Sequence, residues 1–355
     1  MELSIIPDPV KQFILNQIVN KSNAALVVGF VNPNGTKVFN FGNILKANNT
    51  PVNGNTLFNI GSITKTFTTL ILADFVKKNI VSIDDPAENY LPPGITIPSY
   101  KGHKITLENL ATHTSGLPDF PSNIWLNEKQ EAFKTNYDEN LFYQELSNFV
   151  LTRQPGSLFE YSSFGMAVLA HALCLKANVT YEQLIKDRIL DVLGMYDTKI
   201  ILSYDDINNR FPIGHYRGSE TDPMEIPEII AGAGAFRSSV NDLLKYLSAN
   251  LGFLRTKLDD AIQLQHLIRH PCKTTNPMNL SEYIALGWRV LTNFGSETFT
   301  HIGIIPGWNA FIGFTPVNQI GVTLLCSCDS KDADMEKLGF VLLQLIKLQT
   351  IMEQK

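Results

Sequence analysis

A serine and a lysine three positions apart are the first residues in this chain that could do chemistry together. Ser62 and Lys65 stand in the stretch FNIGSITKTFTTLILADFV, where a short strand pattern changes into an apolar helix pattern. On a helix, residues at i and i+3 share a face, with about 5–6 Å between their Cβ atoms. A lysine buried in such a helix is desolvated and can act as a neutral base. A serine hydroxyl needs a nearby base before it can attack at neutral pH.

The same pair also fits a purely structural interpretation. A serine at the first turn of a helix is a common N-cap residue, and a lysine can lay its stem along an apolar surface. The spacing S-x-x-K is also expected about once by chance in a chain of this composition. Ser62 and Lys65 therefore become a catalytic hypothesis only with support from other parts of the sequence.

Two later stretches contain polar residues of the kind that a serine nucleophile needs. In QPGSLFEYSSFGMAVLAHAL, Tyr161 and Ser163 stand at the start of a predicted helix that begins near Phe164. In FTHIGIIPGWNAF, a predicted strand carries His301 and Gly303. Taken singly, the first stretch is typical of a half-buried tyrosine with helix-capping serines, and the second of an ordinary strand histidine. A glycine within a strand, however, often marks the close approach of another backbone or a ligand.

Taken together, these stretches resemble the class C β-lactamase and D-alanyl-D-alanine carboxypeptidase family of serine hydrolases. LATHTSGLPDF and AGAGAFRSSVNDLLKYL add to the resemblance, which runs from about residue 8 to residue 348 with the motifs in the family's order. The family is penicillin-binding-protein-like and also includes D-aminopeptidases and esterases. The resemblance implies a β-lactamase/transpeptidase-like fold.

The resemblance also implies a role for each matching residue. Ser62 would be acylated by the substrate, and Lys65 and Tyr161 would share the proton transfers, with the choice of base between them left open. The backbone N–H groups of Ser62 and of Ile304, which follows Gly303, would form the oxyanion hole. Water would then hydrolyse the acyl-enzyme, with no metal and no cofactor.

Two departures from the family's motifs concern the substrate. Ser163 stands where the family's Y-x-N motif has asparagine, and His301-Ile302-Gly303 stands where β-lactamases have K-T-G. The lysine and threonine of that motif help to hold the substrate carboxylate. Histidine has a reference pKa near 6.5 and is mostly neutral at pH 7, and isoleucine offers no hydroxyl. We therefore expect neutral esters or amides to compete well with penicillins, and carboxylate substrates to improve when His301 is protonated.

Several functions remain open at this point. The leading one is hydrolysis of an amide or ester, with D-amino-acid peptides, β-lactams at a low rate and small esters as substrates. A non-catalytic penicillin-binding or sensor protein is a rival, which the presence of Ser62, Lys65 and Tyr161 disfavours. An acyltransferase is a second rival and differs only in what attacks the acyl-enzyme.

The composition limits the partners. The chain has 355 residues, 44% of them hydrophobic and 18% charged, with a net charge of −5. This charge offers no basic surface for nucleic acid, and no run reaches the roughly 18 apolar residues of a membrane-spanning helix. The expected partner is a small-molecule or peptide substrate. The compartment stays open: the sequence as it stands leads us to expect a cytoplasmic protein, and removal of a signal peptide would instead imply a periplasmic or secreted one.

The two chain ends predict strands and helices that enclose a mainly helical middle. A hairpin is expected around Asn34-Gly35, and consecutive strands near the other end are interrupted at Pro306-Gly307 and at residues 316–319. A last helix is expected near residues 334–349. The fold class is therefore α+β, an antiparallel sheet built from both chain ends and flanked by helices, with an inserted helical subdomain. Residues 1–355 form one domain, with an α/β part at about 1–80 and 285–355 and a helical part at about 81–284.

Three further features are expected to support a cleft between those parts. HTSGLP, residues 113–118, is expected to be a turn that supports the site. AGAGAF, residues 231–236, is expected to bring its backbone close to the cleft, because small side chains permit that. Trp308 either lines the cleft or packs inside the protein.

Overall fold

An eight-stranded antiparallel sheet forms the centre of the computed structural model. The structure describes residue 6 and residues 8–19, 24–44, 50–126, 133–134, 136–272, 280–293 and 296–353. The strands follow the order β2-β1-β12-β11-β10-β9-β8-β7. Their bounds are β1 Leu26–Asn32, β2 Gly35–Phe41, β7 His270–Cys272, β8 Ser281–Ile284, β9 Arg289–Asn293, β10 Ser296–Ile305, β11 Trp308–Thr315 and β12 Ile320–Cys326.

The sheet joins the two ends of the chain, as the sequence predicts. β1 pairs with β2 on one side and with β12 on the other, so that Leu26 lies opposite both Phe41 and Cys326. The N-terminal hairpin is confirmed, but its loop is Pro33-Asn34, one residue earlier than expected. Gly35 opens β2 with a φ of +118°, a conformation that glycine adopts without steric cost.

Two of the three strands at the far edge of the sheet lie in a region that the sequence predicted to be helical. β7 and β8 fall between residues 270 and 284, where they pair with each other, and β8 also pairs with β9. They were missed because strands of three to four residues give little alternation to detect. The division of the chain into two parts near residue 285 stays a prediction.

Four short strands form two smaller sheets. β3 Leu57–Asn59 pairs with β6 Arg237–Ser239, and β4 Gly214–Tyr216 pairs with β5 Ser219–Thr221. The first of these pairs is important for the site, because β3 leads directly into the turn that carries Ser62.

The α-helices cover both faces of the sheet and fill the middle of the chain. In chain order they are α1 Asp8–Phe13, α2 Thr64–Lys77, α3 Leu107–Ala111, α4 Glu139–Asn148, α5 Ser163–Ala177, α6 Tyr181–Ile185, α7 Asp191–Leu193, α8 Tyr204–Arg210, α9 Val240–Asn250, α10 Asp259–Gln265 and α11 Met335–Glu353. π-helical turns follow α1 at Ile14–Val19 and α6 at Lys186–Leu190. The C-terminal helix that the sequence predicted is α11.

Two apolar cores lie on opposite faces of the sheet. The larger contains α2, α5 and α9, and the smaller is closed by α11 together with the chain's first helical turns. α2 is the central helix of the larger core, because every residue from Thr64 to Phe75 is buried. A helix buried on all sides can hold a lysine out of water at a fixed position, which is the requirement for a lysine base.

No single described helix is long and apolar enough to cross a membrane. One pair of helices, Ser163–Ala177 and Tyr181–Leu193, reaches that length and composition when taken together, but the pair is sharply bent.

Candidate active site

Ser62 lies in the turn that begins α2. A single 3₁₀ turn, Gly61–Ile63, connects β3 to α2, and Gly61 has a φ of +48°. Lys65 is one turn further on, and its Nζ lies 2.8 Å from Ser62 Oγ. The i, i+3 relation expected from the sequence therefore brings these two side chains into direct contact.

Lys65 is held away from water on every side. Its side chain has no exposed surface, and its Nζ also donates a hydrogen bond of 2.6 Å to the carbonyl of Ala233. Burial lowers the pKa of the Lys65 ammonium to about 7, while the charge of Asp119 acts in the opposite direction. A pKa near the working pH is what a general base needs, because much of the amine is then neutral and still basic.

Tyr161 is the third side chain of this cluster. Lys65 Nζ lies 4.9 Å from the centre of the Tyr161 ring, and the His113 ring packs against the same tyrosine at 4.4 Å. Burial raises the pKa of the Tyr161 phenol well above its ordinary value, although hydrogen bonding toward Ser62 acts against this. Tyr161 therefore keeps its proton at neutral pH.

The HTSGLP turn supports the site, as expected. His113 Nδ1 accepts a hydrogen bond of 3.1 Å from the backbone N–H of Ser162, next to Tyr161. Ser162 Oγ donates to the carbonyl of Pro118 at 2.7 Å and caps α5 by accepting from the Gly165 N–H at 2.8 Å. The turn thus fixes the start of α5, and with it the position of Tyr161.

Asp119 is a site residue that the sequence did not single out. Its Oδ1 accepts a hydrogen bond of 3.1 Å from the backbone N–H of Ser163, the first residue of α5. Its charge opposes the lowering of the Lys65 pKa and helps to raise the Tyr161 pKa. Asp119 directly follows the HTSGLP turn, but nothing in its local pattern shows that it would meet residues more than forty positions away.

His301 lies close to Tyr161 but remains neutral. The two rings are 6.5 Å apart, and His301 Nδ1 is 2.7 Å from the carbonyl of Ile302. Burial, followed by the charge of Lys65, lowers the pKa of His301 to about 3. The expectation that mild acid would turn His301 into a cation for substrate carboxylates was therefore wrong, because the ring is too deeply buried.

Gly303 and Gly61 bring the two segments of the predicted oxyanion hole together. A Cβ added at Gly303 would stand 1.9 Å from the carbonyl oxygen of Ile60, and one added at Gly61 would stand 3.0 Å from the backbone N of Ile304. Only glycine permits this approach. Among the described residues, β10 pairs with β9 only as far as Thr300. The residues of β10 that follow Thr300 therefore face the cleft along that edge.

Replacing Gly303 with alanine should therefore damage catalysis. The new methyl group would meet backbone atoms, so the turn that carries Ser62 must move away from Ile304. We expect kcat to fall by roughly 10²-fold, the typical loss when one oxyanion donor is misplaced. Steady-state kinetics on an activated ester measure this. Gly321→Ala, in β12 of the same sheet, is the control, because an added Cβ there would lie at least 3.1 Å from its neighbours. A Gly303→Ala enzyme with normal kcat would contradict the predicted oxyanion hole.

Two cavities have Ser62 in their walls. The first, the apolar cavity, has a volume of about 190 Å³. The second has a volume of about 420 Å³, and we call it the polar cavity because ionisable side chains, among them Asp119, Arg289 and His301, stand in its largely apolar wall. Both touch Ser62, Phe120, Ser163 and Ile304. A substrate carbonyl placed at Ser62 could therefore extend one group into each cavity.

The apolar cavity is lined mainly by hydrocarbon. Three aromatic rings form one wall, with centroid separations of 4.9–5.5 Å between Phe120, Trp125 and Phe133. Five further apolar residues line it, namely Met224, Ile226, Ile230, Ile305 and Pro306. No motif in the sequence predicted this cavity, because its walls come from five separate stretches of the chain.

The polar cavity contains an arginine that is already engaged by two carboxylates. Arg289 Nε lies 2.5 Å from Glu282, and Arg289 Nη1 lies 2.8 Å from Glu336. Asp119, Tyr161 and His301 line the same cavity. The charge of Arg289 is therefore balanced within the protein before any substrate enters.

The remaining two expectations are also resolved by the structure. The AGAGAF backbone does reach the cleft, where the Ala233 carbonyl accepts from Lys65 and Gly234 lines the apolar cavity. Trp308 is only 1% exposed and packs against Phe211 at 5.4 Å, so it belongs to the core and not to the cleft.

Comparison with known proteins gives consistent results. The chain matches the family model described as Beta-lactamase over residues 15–345. It is 28% identical to the D-alanyl-D-alanine-carboxypeptidase/endopeptidase AmpH of Escherichia coli K12, over 71% of this chain and 69% of that protein. It is 26% identical to the putative penicillin-binding protein PbpX of Bacillus subtilis, over 79% of this chain and 64% of that protein.

Solved structures share the fold. A β-lactamase/D-alanine carboxypeptidase from Yersinia pestis, complexed with citrate, superimposes with a TM-score of 0.80 at 22% identity, covering 95% of this chain and 97% of that one. A class C β-lactamase superimposes with a TM-score of 0.79 at 23% identity, covering 98% of this chain and 96% of that one. The mixed antiparallel fold expected from the sequence is thereby confirmed.

Proposed function

This chain belongs to the Beta-lactamase family and is a serine hydrolase of that family, and from this premise we propose that it hydrolyses neutral esters or amides with a short apolar acyl group. The intermediate is an ester between that acyl group and Ser62. The observation that carries the proposal is the apolar cavity beside Ser62, together with the absence of an unengaged cation among the described residues that line the polar cavity.

The contacts support a two-step reaction. Ser62 Oγ attacks the substrate carbonyl carbon and gives its proton to Lys65 Nζ, which is 2.8 Å away. The bond to the leaving group breaks, and the leaving group takes up a proton from the Lys65–Tyr161 pair. Water then attacks the acyl carbon and gives a proton to one of these groups. The bond between the acyl carbon and Ser62 Oγ breaks, and Oγ takes up that proton to restore the free hydroxyl.

Lys65 is the better candidate for the acylation base. Its pKa of about 7 leaves a large neutral fraction at physiological pH, whereas the raised pKa of Tyr161 keeps the phenol protonated. Asp119 restrains the fall in the Lys65 pKa, so that the amine stays basic enough to take the serine proton. Tyr161 then serves as a donor toward the leaving group.

The apolar cavity fits a short acyl chain. Its volume of about 190 Å³ is below the roughly 300–1,000 Å³ of a site for a drug-sized ligand. At roughly 30 Å³ for a water-sized group, it holds about six such groups. An acyl chain of about four to six carbons would fill it, with the leaving group in the polar cavity.

The charges around the polar cavity disfavour a substrate carboxylate. His301 stays neutral above pH 3 or so, Lys65 has no exposed surface, and Arg289 pairs with two glutamates. Asp119 adds a further negative charge near Lys65. A carboxylate entering this cavity would therefore meet more negative than positive charge.

A second candidate is hydrolysis of peptides with a free D-alanyl carboxylate. The name of AmpH supports it, and the observation that favours it is that Arg289 lines the polar cavity at all. An arginine can change its carboxylate partner, and a charge-assisted pair with a substrate would be strong. The same measurements can therefore compare both classes of substrate.

A series of p-nitrophenyl esters from acetate to decanoate tests the preferred function. We expect kcat/KM to rise about fourfold per methylene, from about 0.8 kcal/mol for each buried CH₂, to reach a maximum at about four to six carbons, and then to fall. Ile226→Ala enlarges the apolar cavity and should move the maximum to longer chains. Ile201→Ala is the matched control, because Ile201 is 75% exposed and lies outside both cavities.

Nitrocefin and a peptide ending in D-Ala-D-Ala belong in the same series. If the peptide has a higher kcat/KM than the best ester, the second candidate is correct. If only nitrocefin does, the polar cavity accepts a carboxylate and the preference for neutral substrates is refuted. A flat profile across chain lengths, unchanged by Ile226→Ala, would exclude the apolar cavity as the acyl site.

A further inference from the structure

A third cavity lies behind the active site and has no role in the reaction described above. Its volume is about 650 Å³, within the roughly 300–1,000 Å³ of sites that bind small molecules. It is formed by the start of α4, one side of α5, the start of α6 and the 3₁₀ segment Glu228–Ala233. We call it the rear cavity.

The polar groups of the rear cavity are suited to a cation. Asp138, Glu139 and Glu228 line it, and no lysine or arginine is among the described residues of its lining. Burial lowers the pKa of His171, which also lines it, so this ring adds no positive charge at neutral pH. A cation entering the cavity would thus meet three carboxylates without competition from a protein cation.

A buried hydroxyl gives an independent indication of a ligand. Tyr137 lines the rear cavity and is only 5% exposed, and its hydroxyl has no hydrogen-bond partner among the described residues. Buried polar groups almost always have a partner, because an unsatisfied one costs free energy. Leu175, Val179 and Ile229 supply apolar surface for the body of a ligand.

The rear cavity and the active site share a wall. Glu228, Ile229 and Gly232 line the rear cavity, whereas Ile230 and Ala233 of the same segment line the apolar cavity beside Ser62. A ligand that displaces this segment on one side therefore changes the surface on the other.

Hydrogen bonds connect this wall to the proposed base. The Gly232 carbonyl accepts from Thr68 Oγ1 at 2.8 Å, and Thr68 Oγ1 is 2.7 Å from the hydroxyl of Tyr181, which lines the rear cavity. The next carbonyl, that of Ala233, accepts from Lys65 Nζ at 2.6 Å. Thr68 and Lys65 lie one turn apart on α2, so the wall and the base are joined at two adjacent carbonyls.

We propose that the rear cavity is an effector site for a small organic cation, an amine or amidine on an apolar or aromatic body, and that its occupancy changes the rate of acylation at Ser62. The ammonium pairs with the carboxylates, the apolar body contacts Leu175 and Ile229, and the segment Glu228–Ala233 carries the effect to Lys65. The effect on rate rests on the proposed function, whereas binding does not.

Calorimetric titration with phenethylamine tests binding without reference to activity. We expect a Kd of about 0.1–1 mM, the range for a ligand of this size, and at least tenfold weaker binding of phenethyl alcohol. Glu228→Gln should weaken phenethylamine binding about tenfold, the effect of losing one charge-assisted contact. Glu220→Gln, at an exposed glutamate outside the cavity, is the matched control and should bind normally. Leu175→Trp fills the cavity from a partly exposed position and should abolish binding.

Initial rates with p-nitrophenyl butyrate then test the coupling. Saturating phenethylamine should change kcat/KM at least twofold in the wild type and leave Leu175→Trp unaffected. Phenethylamine that acted as an acyl acceptor at Ser62 would affect both proteins equally. The site is overturned if the wild type does not bind phenethylamine, or if Glu228→Gln and Leu175→Trp bind it as tightly as the wild type does. Binding without any change in rate overturns its effector role, and an inactive wild type that still binds phenethylamine overturns only the proposed function.

Discussion

Replacing Ser62 with alanine should reduce kcat/KM for p-nitrophenyl butyrate by roughly 10³-fold or more, the scale of loss when the nucleophile of a hydrolytic site is removed. The hydroxyl is the only atom group lost, and Ser62 is half-buried in a turn whose backbone contacts remain. The fold should therefore persist, and the loss should appear in the chemical step.

Intact-mass spectrometry shows directly whether Ser62 is acylated. We expect the wild type to form a covalent adduct with at least one of a fluorescent penicillin, an alkyl fluorophosphonate and a p-nitrophenyl ester, and Ser62→Ala to form none. Ser163→Ala is the control, because Ser163 lines the same two cavities and should not be the labelled residue. An adduct on a different serine would refute the assignment, and no adduct with any probe would favour a binding or sensor protein.

The second large effect is expected at Lys65. Lys65→Met should lower kcat/KM by about 10²–10⁴-fold, the usual contribution of a general base. Methionine has a similar length and no charge, so it should fit a site that has no exposed surface. We expect the melting temperature at pH 7 to be unchanged or higher, because folding no longer has to remove an amine from water.

The pH dependence distinguishes a catalytic lysine from a structural one. With a pKa of about 7 in the folded protein, the neutral amine decreases about tenfold for each pH unit well below 7, and kcat/KM of the wild type should follow. The unfolded chain keeps the Lys65 proton up to about pH 10.5, the ordinary value. Between these two values the unfolded state binds more protons, so the free energy of unfolding should rise with pH. Denaturant titrations from pH 7 to 9 should show this slope in the wild type and less of it in Lys65→Met.

Two outcomes would contradict this role. If Lys65→Met turns over within about threefold of the wild type, far less than a general base contributes, the lysine only fills space. If the acid limb of the kcat/KM profile persists in a residual activity of Lys65→Met, another group titrates there. In either case Tyr161 becomes the leading candidate for the base.

Local patterns in the sequence predicted the elements that fold over short distances. The N-terminal hairpin, β10 to β12 and the C-terminal helix all follow from alternation, helical periodicity and turn residues. The contact between Ser62 and Lys65 was also predictable, because residues three apart on a helix must face the same way. The short strands β7 and β8 were not, since three or four residues form a strand only through pairing with a neighbour.

The remaining parts of the site depend on residues that are distant in sequence. Asp119 reaches Ser163, the Ala233 carbonyl reaches Lys65, and the apolar cavity is enclosed by stretches that run from Gly61 to Pro306. None of these contacts has a local pattern, because the packing of several elements creates them.

His301 shows that the charge of a side chain, like its contacts, depends on the tertiary structure. The sequence supplied a histidine with an ordinary pKa and therefore an expected switch near neutral pH, whereas burial beside Lys65 lowers that pKa to about 3. Lys65 shows the complementary case, because the same kind of burial lowers its pKa to about 7. Residue type and spacing thus determined which groups could react, and the tertiary structure decided their protonation, because the free energy of a charge depends on the water and the partners around it.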